Sequence, residues 1–507
     1  MCSLALDAFC TAKPDHRACR ERSPTGAYAG YYLMRYTMPV VVMLREGLRD
    51  PTADKAFVEA GLDSIFRLLE LMRPGLRGCQ NLPGVRTWCT AADGSYLAVP
   101  THRAAVAYLA AEGLRLLAEC RARGAACPLP AARLDPALVR WFDVLLWDHA
   151  LLEGTGLRNS LTQHVRTQPA AGGRLQQLRD SFVAPATNIP RFRFATDGWW
   201  MAVAANLLSV DSLLAGKDDP RAVALTDRQR AALRSLVTLG AEVLKQRGER
   251  TRLRDFRGNE AQGLQFDAKL WDGHEYRRFS AVNDGPRPFS TIVDASGATP
   301  RVVYAGAEES RAENVGLDSG HYRRLTWLFQ TLNDVQDSLE ADWVDNEMLK
   351  GVASQFAYAV HWHPCHHGRV DGCAAEPTAG DLESVPQFVN YVSGQRGWYR
   401  LTPTQPCDAG VPPYGFSTLM AISENLWWAK FNNDVGRIWA RLDVVVDRAN
   451  LPAPSQGDTV QCGANEGQIE WGKTYHRMVF RPDGHLSRHG LGFYAMKYWA
   501  ELALQDR

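Results

Sequence analysis

The densest concentration of reactive side chains is Leu270–Phe279, which reads Leu-Trp-Asp-Gly-His-Glu-Tyr-Arg-Arg-Phe. A shorter echo, Leu317–Leu325, reads Leu-Asp-Ser-Gly-His-Tyr-Arg-Arg-Leu. Both place Gly-His ahead of Tyr and Arg-Arg. On a helix starting near Ser319, His321 and Arg324 stand one turn apart on one face. Asp318 lies on the same side or acts as the N-cap. Together they join an imidazole that titrates near neutrality, a fixed cation and a carboxylate. The first cluster offers Asp272, His274, Glu275 and Tyr276. Such groups suit proton transfer, with the arginine neutralising developing negative charge. The competing expectation is that Arg277, Arg278, Arg323 and Arg324 pair with nearby acids on a solvated surface. Two His-Tyr-Arg clusters flanking one loop insert favour a site.

Two further groups draw attention. Tyr358–His367 packs four histidines into a short stretch, with Cys365 and Cys373 close by. Zinc is the obvious thought, but Pro364 breaks any helical His spacing and no HExxH or CxxC-type motif is present. The preferred expectation is a loop that carries His361 or His363 into a cleft, without metal. Asn188 and the run Thr196-Asp197-Gly198-Trp199-Trp200 form one aromatic and polar group. Asn425-Leu426-Trp427-Trp428, followed by Asn432-Asn433-Asp434, forms another. Flat indoles beside amides and acids are what sugar binding uses, although a single tryptophan is more often core. There is no GxSxG elbow and no P-loop, and no GxGxxG follows a strand.

Composition sets the frame for these groups. The chain has 507 residues, 46% hydrophobic, with a net charge of +1. That is enough for a large core and gives no global field toward nucleic acid or anionic membrane. No apolar run reaches the length of a membrane span, Pro39–Leu44 being the best. Of the eleven cysteines, ten fall into neighbouring couples: Cys10/Cys19, Cys79/Cys89, Cys120/Cys127, Cys365/Cys373 and Cys407/Cys462. Local pairs of this kind belong to an oxidising compartment, so export is expected. Cys2, directly behind Met1, is where a bacterial lipoprotein begins once its signal peptide is gone. A lipid on Cys2 would be the sole contact with a membrane. The expected location is the periplasm, the outer membrane or the medium.

The elements that must position the reactive groups are mostly helices. Apolar periodicity predicts helices over Tyr28–Arg49, Ala53–Met72, His102–Arg121 and Leu134–Leu152. It continues over Trp199–Leu214 (capped by Asp197), Thr226–Gln246, Gly320–Glu340, Asp345–Val360, Phe416–Arg448 and Leu491–Leu504. Pro39 predicts a kink in the first. Residues 277–307 and 365–413 read as loop-rich insertions, with strand-like pieces at Thr291–Val293, Val302–Tyr304, Trp398–Leu401 and His476–Arg481. No linker or repeat divides the chain, so one domain over 1–507 is expected.

Many long helices joined in pairs predict a mainly α fold, an (α/α) toroid or incomplete α/α barrel with long loops and minor β pieces. In this respect the chain resembles the α/α-toroid polysaccharide-degrading enzymes: alginate-lyase-like and heparinase-like lyases and toroidal glycoside hydrolases. At motif level the resemblance rests on Trp271-Asp272-Gly-His274-Glu275-Tyr276 and Asp318-Ser-Gly-His321-Tyr322-Arg-Arg324. The Asn-Asn-His-x-x-Trp run of alginate-lyase-like enzymes is absent, so no substrate is named. The resemblance implies β-elimination at a uronic acid. His321 or His274 would be the base and Tyr276 or Tyr322 the acid, with Arg324 and Asn188 on the carboxylate. A hydrolase would instead use two carboxylates from Asp272, Glu275 and Asp318. A third expectation is a non-catalytic glycan-binding lipoprotein that relies on Trp199, Trp200, Trp427 and Trp428. The partner is a polysaccharide or oligosaccharide in each case, and no cofactor is expected.

Overall fold

The computed structural model describes residues 27–72, 76–79, 82–88, 90–92, 95–97, 100–147, 197–215, 224–266, 291–294, 301–304, 316–317, 319–362, 387–389, 391–394, 424–447, 459–462, 465–468 and 494–497. This part is mainly helical. The helices are α1 (Ala27–Arg49), α2 (Lys55–Met72), α3 (Pro100–Ala122), α4 (Ala131–Trp147), α5 (Asp197–Leu214), α6 (Asp227–Arg247), α7 (Ser319–Gln336), α8 (Asn346–Gln355) and α9 (Asn433–Asp447). A 3-10 segment, Glu424–Lys430, precedes α9. Pro39 is accommodated inside α1.

Burial sorts the helices into two kinds. Nearly every residue of α5 is buried, and α3 is buried continuously from Ala104 to Leu117. Helices apolar on all sides belong to an interior. By contrast α2 buries one stripe (Val58, Leu62, Ile65, Leu69, Met72), as α6 does (Leu233, Val237, Leu244). Thr226 starts α6 with a capping box to Gln229, and the Asp345 side chain caps α8 through Met348 N.

Contacts fix their directions. Tyr108 and Glu112 of α3 meet Thr331 of α7, and Arg115 meets Asp334. The pairs advance together, so α3 and α7 run parallel. Trp199 lies under Arg324, while Asn206 and Thr331 share Glu112, which makes α5 parallel to α7. Arg45–Glu112 and Arg49–Glu119 align α1 with α3. Glu424, Asn425 and Trp428 meet Arg323, Thr326 and Phe329 in turn, so the 3-10 segment follows the same direction. The intervening helices run the other way. Gly47 faces Val58 and Gly61 faces Leu44, so α2 is antiparallel to α1. A Cβ on Gly61 would overlap the Leu44 methyls. Asp211–Arg230 and Met201–Gly240 set α6 against α5. Ion pairs Asp63–Arg133 and Glu70–Arg140 hold α2 and α4 parallel to each other.

The parallel set is tied by a buried ionic hub. Glu112 Oε2 lies 2.5 Å from Arg45 Nη2 and 3.4 Å from Arg115 Nη2. Its Oε1 accepts from Asn206 Nδ2 at 2.8 Å and from the Thr331 hydroxyl at 2.5 Å. Asp334 Oδ2 lies 3.3 Å from both Arg45 and Arg115.

Strands are minor. Leu76–Cys79 pairs antiparallel with Leu82–Trp88, and Thr90–Ala92 with Ser95–Leu97. Gly248–Arg254 and Glu260–Phe266 form a hairpin that packs on α8. The two strand-like pieces are strands, Thr291–Asp294 and Arg301–Tyr304, and they pair antiparallel. They join Thr459–Cys462 and Asn465–Gln468 in a four-stranded sheet. The pieces at 398–401 and 476–481 lie outside the described residues.

The helix expected over Phe416–Arg448 is interrupted. Its described part breaks at Phe431–Asn432, where the Asn432 side chain accepts from Asp434 N at 3.0 Å and caps α9. Asp345–Val360 loosens into a π-helical turn at Phe356–Val360. Cys120 and Cys127 form a disulfide across the α3–α4 turn, one of the five couples expected. The other four lie wholly or partly outside the described residues. Removing this bond through Cys120→Ala/Cys127→Ala is expected to cost about 2–3 kcal/mol. Urea unfolding of the variant, and of the wild type under reductant, measures it.

Candidate functional site

The parallel elements begin together at one end of the bundle, and their connections differ sharply between the two ends. At the end where they finish, the turns are short: 50–54, 123–130, 215–226, 337–345 and 431–432. At the end where they begin, the chain inserts 73–99, 148–196, 248–318 and 361–423. Long connections carried on a fixed helical frame are where binding groups concentrate. Apart from Asn432, Asn433 and Asp434, which lie on or just after the short 431–432 turn, the candidates from the sequence lie on those connections or on the helical segments beside them.

The start of α7 is held from several sides. Ser319 Oγ donates to Val389 O at 2.6 Å, and Val392 N donates to Leu317 O at 2.9 Å. Tyr322 is 1% exposed and its hydroxyl donates to Leu264 O at 3.2 Å, locking α7 to the 248–266 hairpin. Arg323 Nη1 lies 2.7 Å from Glu424 Oε1, both buried. Thr326 donates to Asn425 Oδ1 at 2.9 Å and accepts from Trp428 Nε1 at 3.0 Å. Arg324 is only partly buried, and its guanidinium stands 5.3 Å from the centre of the Trp199 ring. His321 occupies the first turn of α7, one turn before Arg324, and its side chain lies outside the described set.

Several expected roles change with these placements. Burial pushes the Tyr322 hydroxyl well above the ordinary tyrosine range, and its proton is committed to a backbone carbonyl. It has no path to a leaving group. Trp199, Trp200, Trp427 and Trp428 are each at most 1% exposed. Trp427 and Trp428 pack edge-on to each other at 4.8 Å and both meet Phe431. Enclosed rings offer no face to a pyranose, so these four are core residues. His361 is equally buried, edge-on between Phe256 and Phe388 at 5.8 and 5.5 Å, and does not open on a cleft. Asn188, Asp272, His274, Glu275, Tyr276, Asp318 and His363 lie outside the described residues.

The structure also exposes residues that motif reading passed over. Glu424 is the buried partner of Arg323, joined across 101 residues of chain. Tyr358 donates to Asp434 Oδ2 at 2.7 Å, and burial followed by that bond raises its hydroxyl above the usual range. The hub had a signal. Tyr108, Glu112, Arg115 and Glu119 recur at helical spacing within an otherwise apolar run. Among the described residues no His, Cys, Asp and Glu group is arranged to hold a metal ion. Among them also, no helix is long and apolar enough to cross a membrane. No protein-family model, curated protein or solved structure matches the chain.

Proposed function

We propose that the chain is an α/α-toroid enzyme that cleaves a uronic-acid-containing polysaccharide by β-elimination at the end carrying the long connections. The observation that carries this reading is the placement of Arg324. It stands partly exposed at the start of α7, one turn from His321, at the end where the long connections leave and rejoin the helices. Alternating parallel and antiparallel helices support the toroid and a single domain.

In this reading Arg324 and Asn188 neutralise the substrate carboxylate, which makes the adjacent carbon acidic enough to lose a proton. His321, or His274 from the neighbouring cluster, takes that proton. Tyr276 protonates the departing glycosidic oxygen, because Tyr322 is sealed in the core. The Cys120–Cys127 bond supports export. A lipid on Cys2 would tether the protein to a membrane.

The test is absorbance near the unsaturated-uronate band during incubation with a panel of acidic polysaccharides. The expected result is a rise that disappears in His321→Ala and is reduced at least 100-fold in Arg324→Ala. New reducing ends without that absorbance would replace elimination by hydrolysis through Asp272, Glu275 and Asp318. Binding without turnover would leave a glycan-binding protein.

A further inference from the structure

The 248–266 hairpin sets three arginines in a row. Alternate residues of a strand share a face, so Arg250, Arg252 and Arg254 follow one another on one side, about 7 Å apart. Their register partners Leu264, Gln262 and Glu260 complete that face. All three arginines are exposed. Arg250 Nη1 reaches only the neutral Gln262 Oε1, at 3.5 Å. Among the described residues none of the three makes an ion pair, and Glu260, directly opposite Arg254, does not close on it. Arginines of the helical frame such as Arg121, Arg140 and Arg230 do close on acids.

The other face holds the row in place. Thr251 Oγ1 donates to Gln355 Oε1 of α8 at 2.5 Å, and Gly263 lies so near that amide that a Cβ would overlap it. At the tip, Asp255 accepts from the backbone N–H groups of Arg257 and Asn259, both at 2.8 Å. Phe256 turns inward onto Tyr358 and His361. Leu264, opposite Arg250, receives the Tyr322 hydroxyl on its carbonyl. The row therefore begins level with the first turns of α7 and runs outward from them.

We propose that this outward face is a docking strip for an extended acidic polysaccharide, with Arg250, Arg252 and Arg254 taking its carboxylates. The proposal rests on the acidic-polysaccharide reading given above and adds a binding strip outside the reacting groups. A guanidinium fork matches a carboxylate. Evenly spaced cations on a fixed strand fit a linear polymer with repeated charges, where a small anion would meet one arginine alone. Single-stranded nucleic acid would need rings for its bases to stack on, and this face carries no aromatic residue.

Fluorescence anisotropy of labelled alginate, polygalacturonate and hyaluronan with the full chain at low salt tests the strip. The expected result is binding to at least one polymer that weakens on the order of tenfold in Arg250→Gln/Arg252→Gln/Arg254→Gln and depends less on salt. Arg252→Glu, a single reversal in the middle of the row, gives an independent reading in the same direction. Arg123→Gln/Arg228→Gln, which removes exposed cations from the other end of the bundle, is expected to leave binding unchanged. No binding by the wild type, or equal binding by the triple variant, overturns the proposal. So does an equal loss in the Arg123/Arg228 variant, or tighter arginine-dependent binding of a labelled single-stranded DNA. Arginine-dependent polysaccharide binding with no unsaturated product keeps the strip and overturns the elimination reading.

Discussion

Glu112→Ala is expected to lower unfolding stability by roughly 3–5 kcal/mol, a large part of what a folded domain has in hand. The reason is what the substitution leaves behind. Arg45 and Arg115 are each 1% exposed and share Glu112 Oε2, while Asn206 and Thr331 share Oε1. Removing the carboxylate strands two cations and two donors inside four packed helices. Asp334 and the less buried Glu119 can answer only part of that charge. Glu112→Gln keeps the shape and some of the hydrogen bonds, and is expected to lose less. Urea unfolding followed by far-ultraviolet circular dichroism compares the three proteins, and equal midpoints would refute the hub.

The same residue carries a pH signature. Burial alone would push the Glu112 carboxyl up. Arg115 and Arg45, with bonds from Thr331 and Asn206, outweigh it and bring the carboxyl from its ordinary value of 4.5 down to about 2. A carboxylate depressed in the folded state stabilises above its unfolded value. That contribution is fully present above about pH 4.5 and is lost as pH falls toward 2. It amounts to on the order of 3 kcal/mol. Wild-type stability is therefore expected to fall steeply over that window, and Glu112→Gln to show a shallower acid slope.

Glu424→Ala is the second large effect, about 3 kcal/mol or more. Its carboxylate is 1% exposed and lies 2.7 Å from Arg323, whose side chain is 6% exposed. Truncation leaves that guanidinium buried opposite an apolar methyl. The pair also sits one residue from Tyr322 and Arg324, so its loss loosens the first turns of α7 together with the 3-10 segment. A double-mutant cycle separates pair from partner. Arg323→Met/Glu424→Leu is expected to recover most of the stability lost in Glu424→Ala, because neither charge remains unanswered. Under the proposed reading, that doubly apolar protein retains His321 and Arg324. An ultraviolet assay on it then reports whether the pair serves stability alone.

Helical periodicity located helices such as α2 and α6 because their burial is itself periodic, and errors cluster where side chains override it. Asn432 is the clearest instance. Its amide caps α9 and ends a pattern that apolar spacing would carry straight through. The 248–266 hairpin escaped because its first strand is mostly charged and lies exposed along α8. Motif reading found the start of α7 but could not assign its roles. Tyr322, Arg323 and Arg324 are adjacent in sequence, and only packing sends them to Leu264, Glu424 and Trp199. The paired tryptophans misled for a related reason, since an indole beside an amide looks alike in a binding cleft and in a core. Thr326 and Asn425 satisfy the Trp428 N–H inside the protein, where a sugar hydroxyl would have done so in a cleft.

The Arg45–Asp334 contact joins groups 289 residues apart, whereas the helices of the pairs α1–α2, α3–α4, α5–α6 and α7–α8 meet across short turns. Chain-entropy cost is therefore largest where α1 meets α7. Adjacent helical pairs can assemble early and locally, and the seam closes when α7 and the 424–430 segment arrive. Synthesis from the N-terminus would expose the hub half-built, with Arg45, Glu112 and Arg115 in place and Asp334 still to come. The seam is thus a checkpoint on completeness: a chain that stops before α7 keeps two interior arginines with one carboxylate fewer to hold them.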